Sequence, residues 1–186
     1  PSRGTMRTSP TALTVAGSDS GGGAGIQADL KTFAAFGVYG TSVVTAITAQ
    51  NTLGGIAVQS VDLSMISDQI DAVISDIGTD AVKIGMLASA DMVELVASKL
   101  TEHELGTVVL DPVMVATSGD RLMAVDAVDS LKESLLPLAS LVTPNLEETA
   151  VLTGHTVENL ADMKDAAMLI HAMGPRTVLI KGGHFA

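Results

Sequence analysis

Two periods of apolar positions alternate along the chain. A short apolar run from Ala12 to Ala16 ends at Gly17 and reads as a buried strand. After Gly21, Gly22, Gly23 and Gly25 the period lengthens, and Ile26, Leu30, Phe33 and Ala34 share one helical face. Ser42 to Thr48, rich in Val, Ile and Thr, is a second strand. Ile56 to Val61 follows Gly54-Gly55 as an extended flap leaving the main sheet. Ile66, Ile70, Val73, Ile74 and Ile77 mark a helix over 64–77, and Ala81 to Met86 is a strand. Ser89 is placed to cap a helix carrying Val93, Val96, Ala97 and Leu100. A strand over 107–110 ends at Asp111-Pro112, and a loop with Ser118-Gly119 follows. Asp126 is expected to cap a helix with Val128, Leu131 and Leu135. A short strand, 141–143, stops at Pro144. Helices over 146–152 and 160–173 stop at Gly154 and at Gly174-Pro175. Val178 to Lys181 is the last strand and runs into Gly182-Gly183.

Strands and helices thus alternate, which predicts one α/β domain over residues 11–186 behind a disordered leader, 1–10. Parallel strands with right-handed helical crossovers are the economical arrangement. Open sheets of that kind bind ligands at the carboxyl ends of their strands. Gly17, Gln50, Met86, Asp111, Asn145 and Lys181 each fall at or just after a predicted strand, which points to one shared site.

Composition narrows the function. The 186 residues are 47% hydrophobic, enough for one domain with a substantial core. No apolar run approaches 18 residues and the first ten residues lack an apolar signal region, so the expectation is a cytoplasmic protein without membrane contact. A formal charge of −11 argues against nucleic acid, and three Phe, one Tyr and no Trp argue against base stacking. Without cysteine, this chain has no disulfide, thiol nucleophile or thiolate metal site.

The glycine-rich turn is the first candidate for chemistry. A strand, a glycine loop and a helix start leave backbone N–H groups to meet a ligand at close range. The dinucleotide pattern is not met, because Ile26 stands where the third glycine belongs; the P-loop pattern fails because Gly23 and Ala24 replace Lys and Ser/Thr. A plain strand–helix connection is the bland alternative. Asp29 lies beside the apolar helix face and needs a partner, which a ligand donor could supply. Gln50 ends a buried strand with an amide that donates and accepts at once; it is either a satisfied core amide or a reader of a mixed ring edge. Asp111 before Pro112 either turns on its own backbone or stands near a Mg²⁺–phosphate cluster. Asn145 and Glu148 form N-x-x-E, spaced as a capping box, and a capped helix start can also be an anion and Mg²⁺ site. Lys181 either reaches solvent or points at phosphate oxygens. Met86 and Val113 are apolar candidates for packing against a ring, with a core role equally open for the methionine. His103, His155 and His171 read as surface residues, and His184 is assigned no chemistry.

Six segments in order carry a resemblance: A-G-S-D-S-G-G-G-A-G-I-Q-A-D-L-K from Ala16, T-A-Q-N-T at 48–52, K-I-G-M-L at 83–87, L-D-P-V-M at 110–114, T-P-N-L-E-E at 143–148 and K-G-G-H at 181–184. Together they resemble the hydroxymethylpyrimidine/phosphomethylpyrimidine kinases of thiamine biosynthesis, in the ribokinase-like superfamily. The resemblance runs from about Ala12 to His184. It implies a three-layer ribokinase-like sandwich around a mainly parallel sheet. The implied activity is ATP- and Mg²⁺-dependent phosphorylation of 4-amino-5-hydroxymethyl-2-methylpyrimidine and then of its monophosphate. Gly17, Ala24, Asp29, Gln50, Met86 and Val113 would meet the pyrimidine. Thr143, Asn145 and Lys181 would meet the nucleotide, Asp111 and Glu148 would hold the metal, and Lys181 and Glu148 would serve catalysis. An edge like residues 54–61 implies a homodimer. The family's anion hole, a glycine-threonine-glycine-cysteine segment with the proposed base, falls beyond residue 186, so this domain is expected to be C-terminally incomplete. Two rivals remain: a pyridoxal or pyridoxine kinase of the same fold, and a non-catalytic pyrimidine-binding module.

Overall fold

In the computed structural model, which describes residues 9–114 and 123–183, six strands form one sheet. They are β1 (Thr11–Asp19), β2 (Tyr39–Asn51), β3 (Gly54–Ser60), β4 (Ala81–Ile84), β5 (Val108–Leu110) and β6 (Leu141–Val142), in spatial order β3-β2-β1-β4-β5-β6. All pairings are parallel except β2 with β3. The six helices are α1 (Gly25–Ala35), α2 (Leu63–Asp76), α3 (Ala90–Glu102), α4 (Val125–Ser130), α5 (Leu146–Thr153) and α6 (Leu160–His171). None of the described helices is long and apolar enough to cross a membrane.

β1 is central because both of its faces are apolar or small, and Thr11 to Gly17 are all buried. In-register partners of parallel strands share a face, so the pairs Val15–Val43 and Val15–Ile84 point one way. That face holds the main core, where these valines and Ile84 meet Ile66 of α2, Val93 and Val96 of α3, and Leu152 and Ile170 of α5 and α6. Truncating a residue such as Ile84, fully buried there, would cost about 2–5 kcal/mol. The opposite face carries Thr14, Ser42, Lys83, Val109 and Leu141 by the same register. α1 packs on that face against β1 and β2. The result is the three-layer order that the resemblance implies, with the heavier layer on the α2–α6 side.

Helix starts follow local chemistry. Ser89 caps α3 by accepting from the Met92 N–H at 3.3 Å, as its position predicts. α3 then buries Val93, Val96, Ala97 and Leu100 at helical spacing. α5 closes on Gly154 in the left-handed conformation, φ 75°.

Three expectations are corrected. Residues 54–60 do not leave the sheet. They pair antiparallel with β2, because Asn51 Oδ1 accepts from the Leu53 and Gly54 N–H groups at 2.8 and 3.2 Å and turns the chain back. Asp126 is not a cap: Ala124 holds that place, Asp126 sits in the first turn, and the helix passes into a π turn over 131–135 and a 3-10 turn over 136–138. Val178 to Lys181 makes two isolated parallel bridges, Val142–Val178 and Asn145–Lys181, instead of a regular strand. Pro144 lies between them and has no N–H to continue the ladder. Of the expected leader only Ser9 and Pro10 are described, and Ser118-Gly119 and His184 lie outside the described residues.

Candidate active site

The parallel strands all end on one side, and the six strand-end residues come with them. β1 carries the chain into the glycine loop. Gly17 packs so closely on β4's continuation that a Cβ there would stand 3.1 Å from the Met86 Cε. Gly25 opens α1 at φ 55°, and a Cβ on it would lie 2.2 Å from the Gly17 carbonyl oxygen. Only glycine fits that position, which draws the loop down onto the end of β1.

The loop's N–H groups are not free, contrary to the expectation from the sequence. Asp19 Oδ1 accepts from Gly21 N–H at 2.8 Å, and Oδ2 accepts from Gly23 and Ala24 at 2.9 and 2.8 Å. Burial pushes the Asp19 carboxyl up, but these backbone donors outweigh it and hold it below the usual carboxylate range. Gln27 accepts from the Asp19 N–H and donates to Ser18 Oγ, both at 2.8 Å. Lys31 donates to the Gly22 carbonyl at 2.7 Å. Ser20 Oγ donates to the Gln50 carbonyl at 2.6 Å and accepts from its N–H at 2.7 Å, clamping the loop to β2.

That clamp uses only the backbone of Gln50. Its side-chain amide is half-exposed and makes no hydrogen bond with any described residue. Asp29 is held lower on the α1 face. Its Oδ2 accepts from Thr14 Oγ1 at 2.6 Å and from Lys83 Nζ at 3.0 Å, while no described residue donates to Oδ1. The partner that Asp29 required is therefore supplied in part by the chain itself. Ala24 is exposed on the loop, Met86 is buried, and Val113 is half-buried beyond β5.

The other flank of this sheet end is charged. Asp111 follows β5 and Lys181 forms the second isolated bridge with Asn145; Lys181 Nζ donates to Asp111 Oδ1 at 2.8 Å. Thr143 Oγ1 donates to the same oxygen at 3.2 Å. Asn145 and Glu148 form a reciprocal capping box, with Glu148 N–H to Asn145 Oδ1 and Asn145 N–H to Glu148 Oε2 both at 2.8 Å. Asn therefore caps here where Ser or Thr is usual. Glu148 is 4% exposed, and burial pushes its carboxyl above the usual range; the Asn145 N–H and Lys181 pull it down, and Asp111 pushes it up again.

The model of the phosphomethylpyrimidine kinase family matches residues 19–186. The chain belongs to that family. It is 56% identical over 93% of its length to the hydroxymethylpyrimidine/phosphomethylpyrimidine kinase of Rhizobium meliloti, and it spans 65% of that protein. Its fold matches the crystal structure of a Clostridium difficile phosphomethylpyrimidine kinase with a TM-score of 0.89 at 48% identity, covering 95% of this chain and 76% of that one. An ADP complex of Bacillus subtilis pyridoxal kinase matches with a TM-score of 0.88 at 43% identity, covering 95% and 67%. The chain spans less than two thirds of the length of the curated relatives it matches first.

Within this kinase family fold, the expected residues divide into two groups. Gly17, Ala24, Gln50 and Met86 surround the glycine loop, and Asp111, Thr143, Asn145, Glu148 and Lys181 share the charged corner. Asp29 lies apart from the loop tip, beneath it. Asp19, Thr14 and Lys83 were missed. Asp19 stands in the loop motif and Lys83 opens K-I-G-M-L. A lysine inside a short buried strand was the signal, since such a charge needs a carboxylate close by.

Proposed function

We propose that this chain provides the pyrimidine and nucleotide sites of a kinase that phosphorylates 4-amino-5-hydroxymethyl-2-methylpyrimidine and then its monophosphate, using ATP. The observation that carries this reading is the division of one sheet end. The side-chain amide of Gln50, without a hydrogen bond among the described residues, stands on one flank, and Asp111, Glu148 and Lys181 stand on the other. An amide with a free donor and a free acceptor suits the ring nitrogen and amino group of an aminopyrimidine. Asp29 Oδ1 can accept from the hydroxymethyl or amino group, and Gly17, Ala24, Met86 and Val113 would bound the ring.

Thr143, Asn145 and Lys181 would meet the nucleotide. The hydroxymethyl oxygen attacks the γ-phosphorus, the bond to the β–γ bridging oxygen breaks, and ADP leaves as the hydroxyl proton is lost. Lys181 neutralises phosphate oxygens, and the capped start of α5 beside it helps to hold the reactants in line. Asp111 and Glu148 fit a Mg²⁺ ion: Asp111 raises the Glu148 pKa, so two carboxylates meet at one strand end with, among the described residues, one lysine against them. The ion would supply charge neutralisation on the triphosphate. We place the base and the anion hole in the segment that the relatives' additional length provides. A cytoplasmic homodimer is part of the same reading. Ile56 and Val58 of β3 are 79% and 52% exposed, and Leu53 beside them 94%, so a second copy has apolar surface to cover. Light scattering at micromolar concentration should give twice the monomer mass, and a monomer would remove the dimer from the proposal.

Two measurements test the activity. ADP release with hydroxymethylpyrimidine as acceptor should exceed that with pyridoxal in the full-length protein; equal or faster turnover of pyridoxal would favour that ring instead. Gln50→Leu should weaken pyrimidine binding by about 1–3 kcal/mol, through ring groups left unpaired, and leave ATP binding within about twofold. Calorimetry finding equal losses for both ligands would remove Gln50 from ring recognition.

A further inference from the structure

The glycine loop already contains an anion. The Asp19 side chain is buried, 6% exposed, and occupies the concave side of the turn. Its two oxygens take the N–H groups of Gly21, Gly23 and Ala24 at 2.8, 2.9 and 2.8 Å. Successive backbone N–H groups ahead of a helix are the usual grip for a phosphate. A phosphate oxygen reaching these donors would have to displace a buried carboxylate or share three donors with it, and like charges at that separation repel. The remaining ties of the loop, through Ser20, Gln27 and Lys31, touch other atoms and, among the described residues, leave this nest to Asp19. The depressed ionisation of Asp19 agrees with a carboxylate that stays charged there.

We propose that Asp19 is a positioning residue that fills the donor nest of the glycine loop, closing the loop to phosphate and fixing Gly17 and Ala24 as a wall for the pyrimidine. The assignment rests on the kinase reading above and gives it a direction. Both the triphosphate and the phosphate of the monophosphate substrate approach from the Asn145–Lys181 flank. The loop meets only the uncharged ring.

The experiment uses the full-length protein with Asp19→Ala, Asp19→Asn, and formate as a probe the size of the deleted carboxylate. In Asp19→Ala the amide NMR signals of Gly21, Gly23 and Ala24 should move together and return towards wild type as formate is added. Pyrimidine affinity should fall about tenfold and recover with formate, while ATP affinity stays within about twofold. Asp19→Asn keeps the volume but turns a donor towards the N–H groups, so it should show the same loss without formate recovery. Inorganic phosphate should shift the three amides in Asp19→Ala and not in wild type. The proposal is overturned if wild-type amides respond to phosphate, or if the Asp19→Ala amides ignore formate. It is also overturned if pyrimidine and ATP affinity fall together with no recovery. A wild-type protein that binds no pyrimidine, with Asp19→Ala amides still answering to formate, would sink the kinase reading and leave the filled nest standing.

Discussion

Asp19 and Asp111 end parallel strands two places apart in the sheet, yet their surroundings differ in kind. Asp19 is buried and bound by three backbone N–H groups. Asp111 is 26% exposed and bound by two side chains, Lys181 and Thr143. Backbone donors cannot leave without unfolding the turn. A lysine on a flexible stem can swing to a better anion at small cost. One flank of the sheet end is therefore built to stay still and the other to change partners, which is what the proposed ring wall and phosphate corner would require.

The largest break in this comparison is expected at Gly25. Gly25→Ala forces a left-handed φ and a contact of 2.2 Å with the Gly17 carbonyl. It should cost at least about 2 kcal/mol of stability by urea unfolding and abolish pyrimidine binding. A variant that keeps both would show that the loop is not rigid.

Lys181→Met should do the reverse. The Lys181–Asp111 pair is partly exposed, so its loss should change stability by less than about 1 kcal/mol. ATP affinity should fall by about 1.5–3 kcal/mol, the range for a hydrogen bond to a charged group. Paired melting and calorimetry check this, and a large loss of stability with ATP binding intact would make Lys181 structural.

The smallest effect sharpens the comparison through pH. The Glu148 carboxyl is raised in the folded protein. Its contribution to stability is thus fully present below the unfolded pKa and is lost as pH rises through the folded value. Glu148→Gln keeps an acceptor for the Asn145 N–H and removes that loss. Relative to wild type, its melting temperature should therefore improve as pH rises from 4 to 8, while Mg²⁺ dependence of ATP binding weakens. Parallel melting curves at all pH values would contradict the raised carboxyl.

Much of this frame was legible in the residues. Periodicity placed β1, α2 and α3, and Ser89 and Asn145 announced their helices because caps act within four residues. The gathering of strand-end residues followed from alternation alone. What could not be read were partners set by tertiary approach. Lys83 reaches Asp29 across 54 positions of sequence, which no local pattern reveals. Asp19 was hidden for another reason: a carboxylate beside glycines resembles an ordinary turn former until the chain curls over it. Pro144 reads as a strand stop, but its effect on the neighbouring segment, breaking the last ladder into two bridges, needs the register.

The strand order β3-β2-β1-β4-β5-β6 has a consequence for descent. Residues 11–60 build one flank of the sheet and residues 81–181 the other, and the chain crosses between them once, through α2. Of the proposed ring contacts, Gly17, Ala24, Asp29 and Gln50 thus lie in one block of the gene, while Met86, Val113 and the proposed phosphate corner lie in the next. A single crossover within the α2 coding region would exchange one block whole, with the β1–β4 seam, the Thr11–Asp80 contact, the Lys83–Asp29 pair and the Thr45–Met86 hydrogen bond among the contacts to be matched again. Under the proposed function, a lineage arranged this way can change most of its ring contacts while inheriting the corner of Asp111, Glu148 and Lys181 intact.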